Sequence, residues 1–204
     1  MLITVDRENR TREHIALRSM FEARKRIFVD LLKWDLPVLA DRFEVDQFDD
    51  LHATYLIVTD RGGGHLASAR LLPTTRPAIL DGLFPHLVAG RVPRGEHIAE
   101  ITRFCLSRDA NAVTRRIARD RLLLGLVEHA LKGGIRTYTG VAELSWFRQV
   151  ERFGWECRAL GSPCVDGGKL LTALRIEIDA STSSRLAAAG IVGSSTGALA
   201  ALAA

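Results

Sequence analysis

Two apolar stretches of this 204-residue chain carry charge where strands normally carry none. Arg70 stands inside His65-Leu-Ala-Ser-Ala-Arg-Leu-Leu-Pro73, and Glu100 and Arg103 stand inside His97-Ile-Ala-Glu-Ile-Thr-Arg-Phe-Cys-Leu106. Both runs read as largely buried strands. An isolated charge in such a setting costs several kcal/mol unless it is paired or meets a polar ligand. Together with Glu44 and Asp46, these residues constrain the chain to build a polar, charge-balanced cleft within an apolar α/β body. A cleft of that kind suits a small zwitterionic or cationic substrate.

Around these runs the hydrophobic pattern alternates between strands and helices. Residues 2–5 read as a short first strand, and Ile15, Leu17, Met20, Phe21, Ile27, Phe28 and Leu31 recur at helical spacing from about Thr11 to Leu32. Pro37 to Asp50 is a polar, acidic connection with too few apolar repeats for a helix. The runs from Ala53 to Thr59 and from Leu66 to Leu72 flank Asp60-Arg-Gly-Gly-Gly64, a hairpin signature in which glycine supplies positive φ. Pro77 to Pro93 is irregular, with one helical turn around Gly82 to Leu87. After the strand at 97–106 come a helix from Ala110 to Lys132 stopped by Gly133-Gly134, a strand from Ile135 to Val141, a helix from Glu143 to Phe153 and a closing strand from Leu170 to Ile178. This order predicts an α/β sheet with helices on its faces. Residues 180–204 are rich in Ala, Ser, Thr and Gly with one charge, Arg185, and read as a weakly structured tail after a single domain at 1–179.

Composition narrows the function classes. With 28 basic and 24 acidic residues the formal charge is +4, which suits an acidic protein or a phosphate group, and no basic run interleaved with aromatics marks a nucleic-acid binder. Cys105, Cys157 and Cys164 provide neither an even framework nor a C-x-x-C pair, so a reducing cytoplasm is the expected home. The amino terminus turns charged too soon for a signal peptide, and no apolar run is long enough for a membrane partner to be expected. The six histidines lack metal-ligand spacing and no metal is expected; Ser107 and Ser145 lack a nucleophile elbow. Cys105, within an apolar strand, reads as a small core residue.

What remains is an ordered series: Arg24-x-x-x-Phe28, Trp34, Glu44-Val-Asp46-Gln-Phe48-Asp49, Arg70, and Glu100-Ile-Thr-Arg103-Phe104. This series resembles the acyl-homoserine-lactone synthases, the LuxI-type autoinducer synthases of quorum sensing. Their pattern holds Arg-x-x-x-Phe, Trp, an Asp-x-x-Asp pair, a buried Arg and Glu-x-x-Arg-Phe in the same order. The likeness covers about residues 2–178. It implies a fold similar to the GNAT N-acetyltransferases, a three-layer α/β/α sandwich with a mixed twisted sheet, splayed to admit a thioester arm. It also implies acyl transfer from acyl-carrier protein or acyl-CoA to the amine of S-adenosylmethionine, a substrate and not a cofactor, followed by lactonisation with loss of methylthioadenosine.

The residue chemistry suits that reaction. Asp46 and Asp49 are expected to attract the cationic groups of S-adenosylmethionine, Arg24 and Arg70 to clamp its carboxylate, and Phe28 and Trp34 to wall the site and stack on adenine or sulfonium. Glu100 is the candidate base for the ammonium proton, with Arg103 holding it ionised and linking it to Asp46. Residues 100 and 103 point to opposite faces of a regular strand, so a bulge between them is required. Phe104, Leu122, Leu126, Thr139, Val141, Leu144 and Trp146 are candidate walls of an acyl slot, and the resemblance associates Thr139 with 3-oxo chains. Arg148 and Arg152, one helical turn apart, with Arg158 and Lys169, suggest docking of an acidic carrier protein. Leu106 to Thr114 lacks a glycine-rich pyrophosphate loop, which favours a carrier protein over free coenzyme A. The rival readings are a generic acyl-CoA-dependent N-acyltransferase and a basic binding module, the latter requiring exposed cations and no interior charge network.

Overall fold

The computed structural model describes residues 1–193, in two compact units. Unit 1 holds Met1–Leu71, Arg103–Gly125 and Gly193, and unit 2 holds Leu72–Thr102 and Leu126–Val192. In unit 1 the strands β1 (Leu2–Val5), β4 (Thr54–Thr59) and β5 (His65–Pro73, to Leu71) run antiparallel, with Ile3 opposite Ile57 and Tyr55 opposite Arg70. The hairpin between β4 and β5 turns where the glycines predicted it. Asp60 accepts the N–H groups of Gly62 and Gly64, both at 2.8 Å, and Gly63 has φ 83°. The end of β6 (Ile98–Leu106) also belongs here, and Ser107 N–H donates to Leu66 C=O at 2.8 Å. The core of this unit includes Val5, Leu17, Met20, Leu56, Ile57, Leu122 and Leu123.

The helix read as one element from Thr11 to Leu32 has two parts. An α-helix, α1, covers His14–Arg24, and a π-helix covers Lys25–Leu31. Lys25 and Asp30, five residues apart, form an ion pair at 2.9 Å, matching the wider i to i+5 turn. Apolar periodicity alone does not register that change of winding. The polar connection at 37–50 contains a small hairpin of β2 (Val38–Leu39) and β3 (Phe43–Glu44). Its turn is closed by Arg42 N–H to Leu39 C=O at 3.1 Å, and both central residues, Ala40 and Asp41, are left-handed at φ 52°. Asn-Gly or Asp-Gly normally signals such a turn. Ala-Asp does not, which is why it went unseen in the sequence.

In unit 2 the start of β6 runs parallel to β7 (Thr137–Glu143), with Ile98 opposite Thr137 and Glu100 opposite Thr139. Strand β10 (Lys169–Glu177) is antiparallel to β7, to β8 (Glu156–Ala159) and to β9 (Cys164–Asp166). The sheet is therefore mixed, as expected, while β8 and β9 were missing from the pattern reading. Helix α3 (Ala112–Gly133) lies against one face of β7, where Tyr138 Oη donates to Leu126 C=O at 2.9 Å. On the other face Val141 packs with Ala173 of β10 and with Leu80, Phe84 and Leu87 from the segment read as irregular, which contains α2 (Ile79–Gly82) and a 3-10 turn at Pro85–Leu87. Helix α4 (Leu144–Glu151) buries Phe147 and Val150.

The tail expectation changes at its start. Helix α5 (Thr182–Ala188) buries Thr182 and Leu186, and Ile191 is also buried, so ordered packing extends past residue 180; residues 194–204 of the tail lie outside the described residues. Among the described residues no helix is long and apolar enough to cross a membrane.

Candidate functional site

Unit 1 gathers three arginines and three carboxylates. Arg24, at the end of α1, is fully buried; its Nη1 and Nη2 donate to the two oxygens of Asp49 at 2.8 and 2.9 Å, and its Nε donates to Glu44 at 2.5 Å. Arg70, on β5, is 1% exposed and holds both oxygens of Asp46 at 2.6 and 3.0 Å, with Asp49 at 2.8 Å. Arg103 donates through Nε and Nη2 to Glu44 and through Nη2 to Asp46 at 2.7 Å. Three positive and three negative groups leave the network neutral. That balance is what permits its burial, since removing any one partner would strand a charge.

Local structure delivers each group. The β2–β3 hairpin places Glu44. Asp46 and Asp49 share a tight turn in which Asp49 N–H donates to Asp46 C=O at 3.0 Å, and Asp46 N–H and Phe48 N–H donate to the Asp49 and Asp46 carboxylates, both at 2.8 Å. Tyr55, opposite Arg70 on β4, adds its hydroxyl to Asp49 at 3.0 Å. Arg10 fastens the same loop from outside, donating to the Asp50 carbonyl at 2.7 Å and lying over the Tyr55 ring. Burial opposes ionisation of Asp49, but its bonds to Arg24 and the charge of Arg70 prevail and hold the carboxyl far below the usual range. Likewise burial would weaken Arg24, and Asp49 and Glu44 overcome it.

This geometry corrects two sequence expectations. Arg24 and Arg70 do not form a clamp for a substrate carboxylate, because they are buried and their donors are spent on protein carboxylates. Asp46 and Asp49 offer no surplus charge to a cation for the same reason. Glu44, Asp46 and Asp49 lie close enough to suggest a cation site, but each already holds a guanidinium. The network meets open space at Asp46 and Arg103, whose side chains are each 9% exposed. Beside them Phe28, from the π-helix, stacks on half-buried Trp34 with ring centroids 4.9 Å apart, and the Arg103 guanidinium lies 5.7 Å from the Phe28 ring. Arg103 itself has φ 51°, a left-handed conformation rare for a non-glycine residue. The required break in β6 is thus made at Arg103.

Unit 2 holds Glu100, 1% exposed, whose two carboxylate oxygens accept Leu80 N–H at 3.0 and 3.1 Å. Its register neighbour Thr139 is also buried, and among the described residues Thr139 Oγ1 has no hydrogen-bond partner. The contact from Leu80 is a backbone one, so no side chain in the sequence advertised it.

The proposed acyl wall divides. Thr139 and Val141 share the β7 face covered by Leu80, whereas Tyr138 points the other way onto Leu126. Leu126 therefore cannot line a slot with Thr139 and Val141. Phe104 and Leu122 lie in unit 1, Leu122 as fully buried core, while Leu144 is half-buried at the start of α4 and Trp146 packs edge-on against Phe153. Among the docking candidates, Arg148, Arg152 and Arg158 are exposed, and Lys169 pairs with Glu143 at 2.9 Å.

A second polar cluster in unit 1 borders the charge network, whose Arg24, Glu44 and Arg103 act on its Cys105 thiol. His65 Nε2 is 2.9 Å from Ser68 Oγ, which is 3.3 Å from Cys105 Sγ. Burial pushes the Cys105 thiol up to about 11, so it remains protonated and inert, as its strand setting suggested. Burial, with the charge of Arg26, lowers His65 from 6.5 to about 4. Because the unfolded chain binds this proton more readily, His65 contributes stability above pH 6.5 that is lost as pH falls towards 4. The gap corresponds to about 3 kcal/mol. His65→Gln is expected to flatten the unfolding free energy between pH 6.5 and 4, measured by urea titration; an unchanged slope would place the acid sensitivity elsewhere.

Comparison with known proteins adds independent findings. Residues 8–186 match the model of the autoinducer synthase family. The chain is 37% identical over 179 residues to an acyl-homoserine-lactone synthase of Ralstonia nicotianae, covering 84% of this chain and 85% of that one. It is 27% identical to a solved CoA-dependent acyl-homoserine lactone synthase, BjaI, with SAM and isopentyl-CoA, at a TM-score of 0.83, covering 100% of this chain and 98% of that one. A putative N-acetyltransferase from Lactobacillus plantarum, at 16% identity and a TM-score of 0.59 over 88% of this chain and 98% of that one, shares the fold. The expected acetyltransferase-like α/β fold is thereby established.

Proposed function

The chain belongs to the autoinducer synthase family, and on that basis we propose that it acylates the amine of S-adenosylmethionine from an acyl thioester and closes the product to an N-acyl-L-homoserine lactone. The observation that carries this reading is the neutral network of Arg24, Glu44, Asp46, Asp49, Arg70 and Arg103, in which all but Glu44 fill charged positions of the family pattern. A basic binding module has no use for such an interior. In the first step the amine attacks the thioester carbonyl, a C–N bond forms, the C–S bond breaks, and the thiolate leaves. In the second, the methionine carboxylate attacks its own γ-carbon and methylthioadenosine departs with the electrons of the C–S bond.

Residues of the charge network, the aromatic pair and the Glu100 strand each have a part in this scheme. Trp34, half-buried on Phe28, offers an aromatic face to adenine or sulfonium. Arg103, the guanidinium at the network's opening, replaces Arg24 and Arg70 as the group able to meet the substrate carboxylate. Glu100 takes the ammonium proton. Thr139 Oγ1, buried beside Glu100, has a free donor for an oxygen on the acyl chain, which supports a 3-oxo substituent. The absent glycine-rich loop no longer favours a carrier protein, because a synthase described as CoA-dependent is similar over this whole chain. The common requirement is the phosphopantetheine thioester, with Arg148, Arg152 and Arg158 as the carrier-protein face. Three free cysteines accord with a reducing cytoplasm.

Incubation with S-adenosylmethionine and either octanoyl-carrier protein or octanoyl-CoA tests the reading. Release of methylthioadenosine with an acylated lactone, by mass spectrometry, is the expected result, and the faster donor identifies the thioester. Neither product from either donor would refute the assignment.

A further inference from the structure

Behind Glu100, unit 2 contains an arrangement that the reaction scheme does not use. Asp81, in α2, spends its two oxygens on two different segments. Oδ1 accepts Ala78 N–H at 2.7 Å, fixing the first turn of the short helix, and Oδ2 accepts Arg94 Nη1 at 2.9 Å. Arg94 continues through Nε to the Thr74 carbonyl at 3.0 Å. Thr74 is 4% exposed, and its hydroxyl donates to the carbonyls of Gly95 and Ile98 at 3.1 and 2.8 Å while Gly95 N–H approaches it at 3.1 Å. Ile98 begins the strand that carries Glu100, two residues on. The chain of contacts therefore runs from the Glu100 strand through Thr74, Arg94 and Asp81 to α2, whose Leu80 N–H returns to the Glu100 carboxylate.

We propose that Arg94 and Asp81 are positioning residues that set the orientation of the Glu100 carboxylate by holding Leu80 N–H against it. The inference rests on the reading of Glu100 as the base. The Leu80 N–H, shared by both oxygens, holds the carboxylate plane only as firmly as α2 is itself held. Helix α2 spans Ile79–Gly82, only four residues, and the Asp81 bonds restrain it from two sides. The Arg94 side chain is 47% exposed, so its loss removes the clasp without opening a core cavity. A modest tilt of α2 would turn the carboxylate away from the amine, and small misplacements of a reacting group cost rate far more than affinity.

The test compares Arg94→Met, Asp81→Asn, Arg94→Lys and Glu100→Gln, with steady-state kinetics for S-adenosylmethionine, its affinity by calorimetry, and Tm for each. Arg94→Met and Asp81→Asn are expected to lower kcat by about tenfold, with KM and affinity for S-adenosylmethionine within about twofold and no more than a small change in Tm. The double variant should be no slower than either single one, because both remove the same clasp. Arg94→Lys, able to reach Asp81 but not the Thr74 carbonyl at once, should recover part of the rate. If Glu100→Gln is inactive while Arg94→Met and Asp81→Asn turn over normally, the clasp inference fails and the base survives. If Glu100→Gln keeps full activity, the base reading fails first and takes the clasp with it. Rate losses that follow Tm across the series would show a structural role only, and would also overturn the proposal.

Discussion

Replacing Arg24 with methionine is expected to remove about 3–5 kcal/mol of folding stability, read as a lower urea midpoint at pH 7.5 with an unchanged m-value. Methionine nearly fills the space but returns no charge, so Asp49 and Glu44 each lose a partner inside a unit where water does not replace it; the Arg24 side chain is 0% exposed. Arg70 and Tyr55 still hold Asp49, and Arg103 still holds Glu44, which keeps the loss below complete unfolding. Arg24→Lys should recover only part of it, since one ammonium cannot span Asp49 and Glu44 as the guanidinium fork does. The acid limb supplies a second readout. The Asp49 carboxyl is depressed well below its ordinary 3.8, so its share of stability is present above that pH and is lost as pH falls below it. Without Arg24 that limb should flatten. A loss under about 1 kcal/mol, the scale of an exposed pair, would mean that solvent reaches these carboxylates.

The same residues show what a sequence can disclose. Arg70, Glu100 and Arg103 were legible because each interrupts an apolar run, and burial of a charge is conspicuous in any strand pattern. That they require partners followed from electrostatics, and Glu44, Asp46 and Asp49 supply them for Arg70 and Arg103. How the partners divide did not follow. Spacing gives no sign that Arg24 and Arg70 face protein carboxylates instead of a ligand, because a guanidinium reads identically in either setting. The break in β6 was demanded by alternation, yet its location at left-handed Arg103 depends on contacts from the β2–β3 hairpin, itself hidden by an Ala-Asp turn. The π-helix escaped because its apolar residues still recur at near-helical spacing. Leu80 and α2 escaped for a different reason. Their contribution is a backbone N–H and an apolar cover drawn from a segment without periodicity, so no residue type marks it. Leu126 was misassigned because a buried leucine on a helix carries no record of which sheet face it meets; Tyr138 supplies that record only once folded.

Glu100→Gln is expected to lower turnover by about 10²–10⁴-fold with little change in Tm. Glutamine keeps the size of the side chain and an acceptor oxygen for Leu80 N–H, so packing around α2 survives. What disappears is the capacity to take a proton. The dependence on pH separates this role from mere positioning. A free α-amino group titrates at about 7.7–8.0, so near pH 7 most S-adenosylmethionine carries an ammonium that must lose a proton before it can attack the thioester. Above pH 8.5 most of the amine is already neutral and needs the base less. The deficit of the glutamine variant should therefore be greatest near pH 7 and shrink as pH rises, when acylation is followed by release of the thiol in a single turnover. A carboxylate that only orients substrate would give a deficit independent of pH over this range. A constant deficit would thus move Glu100 from proton acceptor to scaffold, while a deficit that narrows with pH ties the buried carboxylate to the amine proton itself.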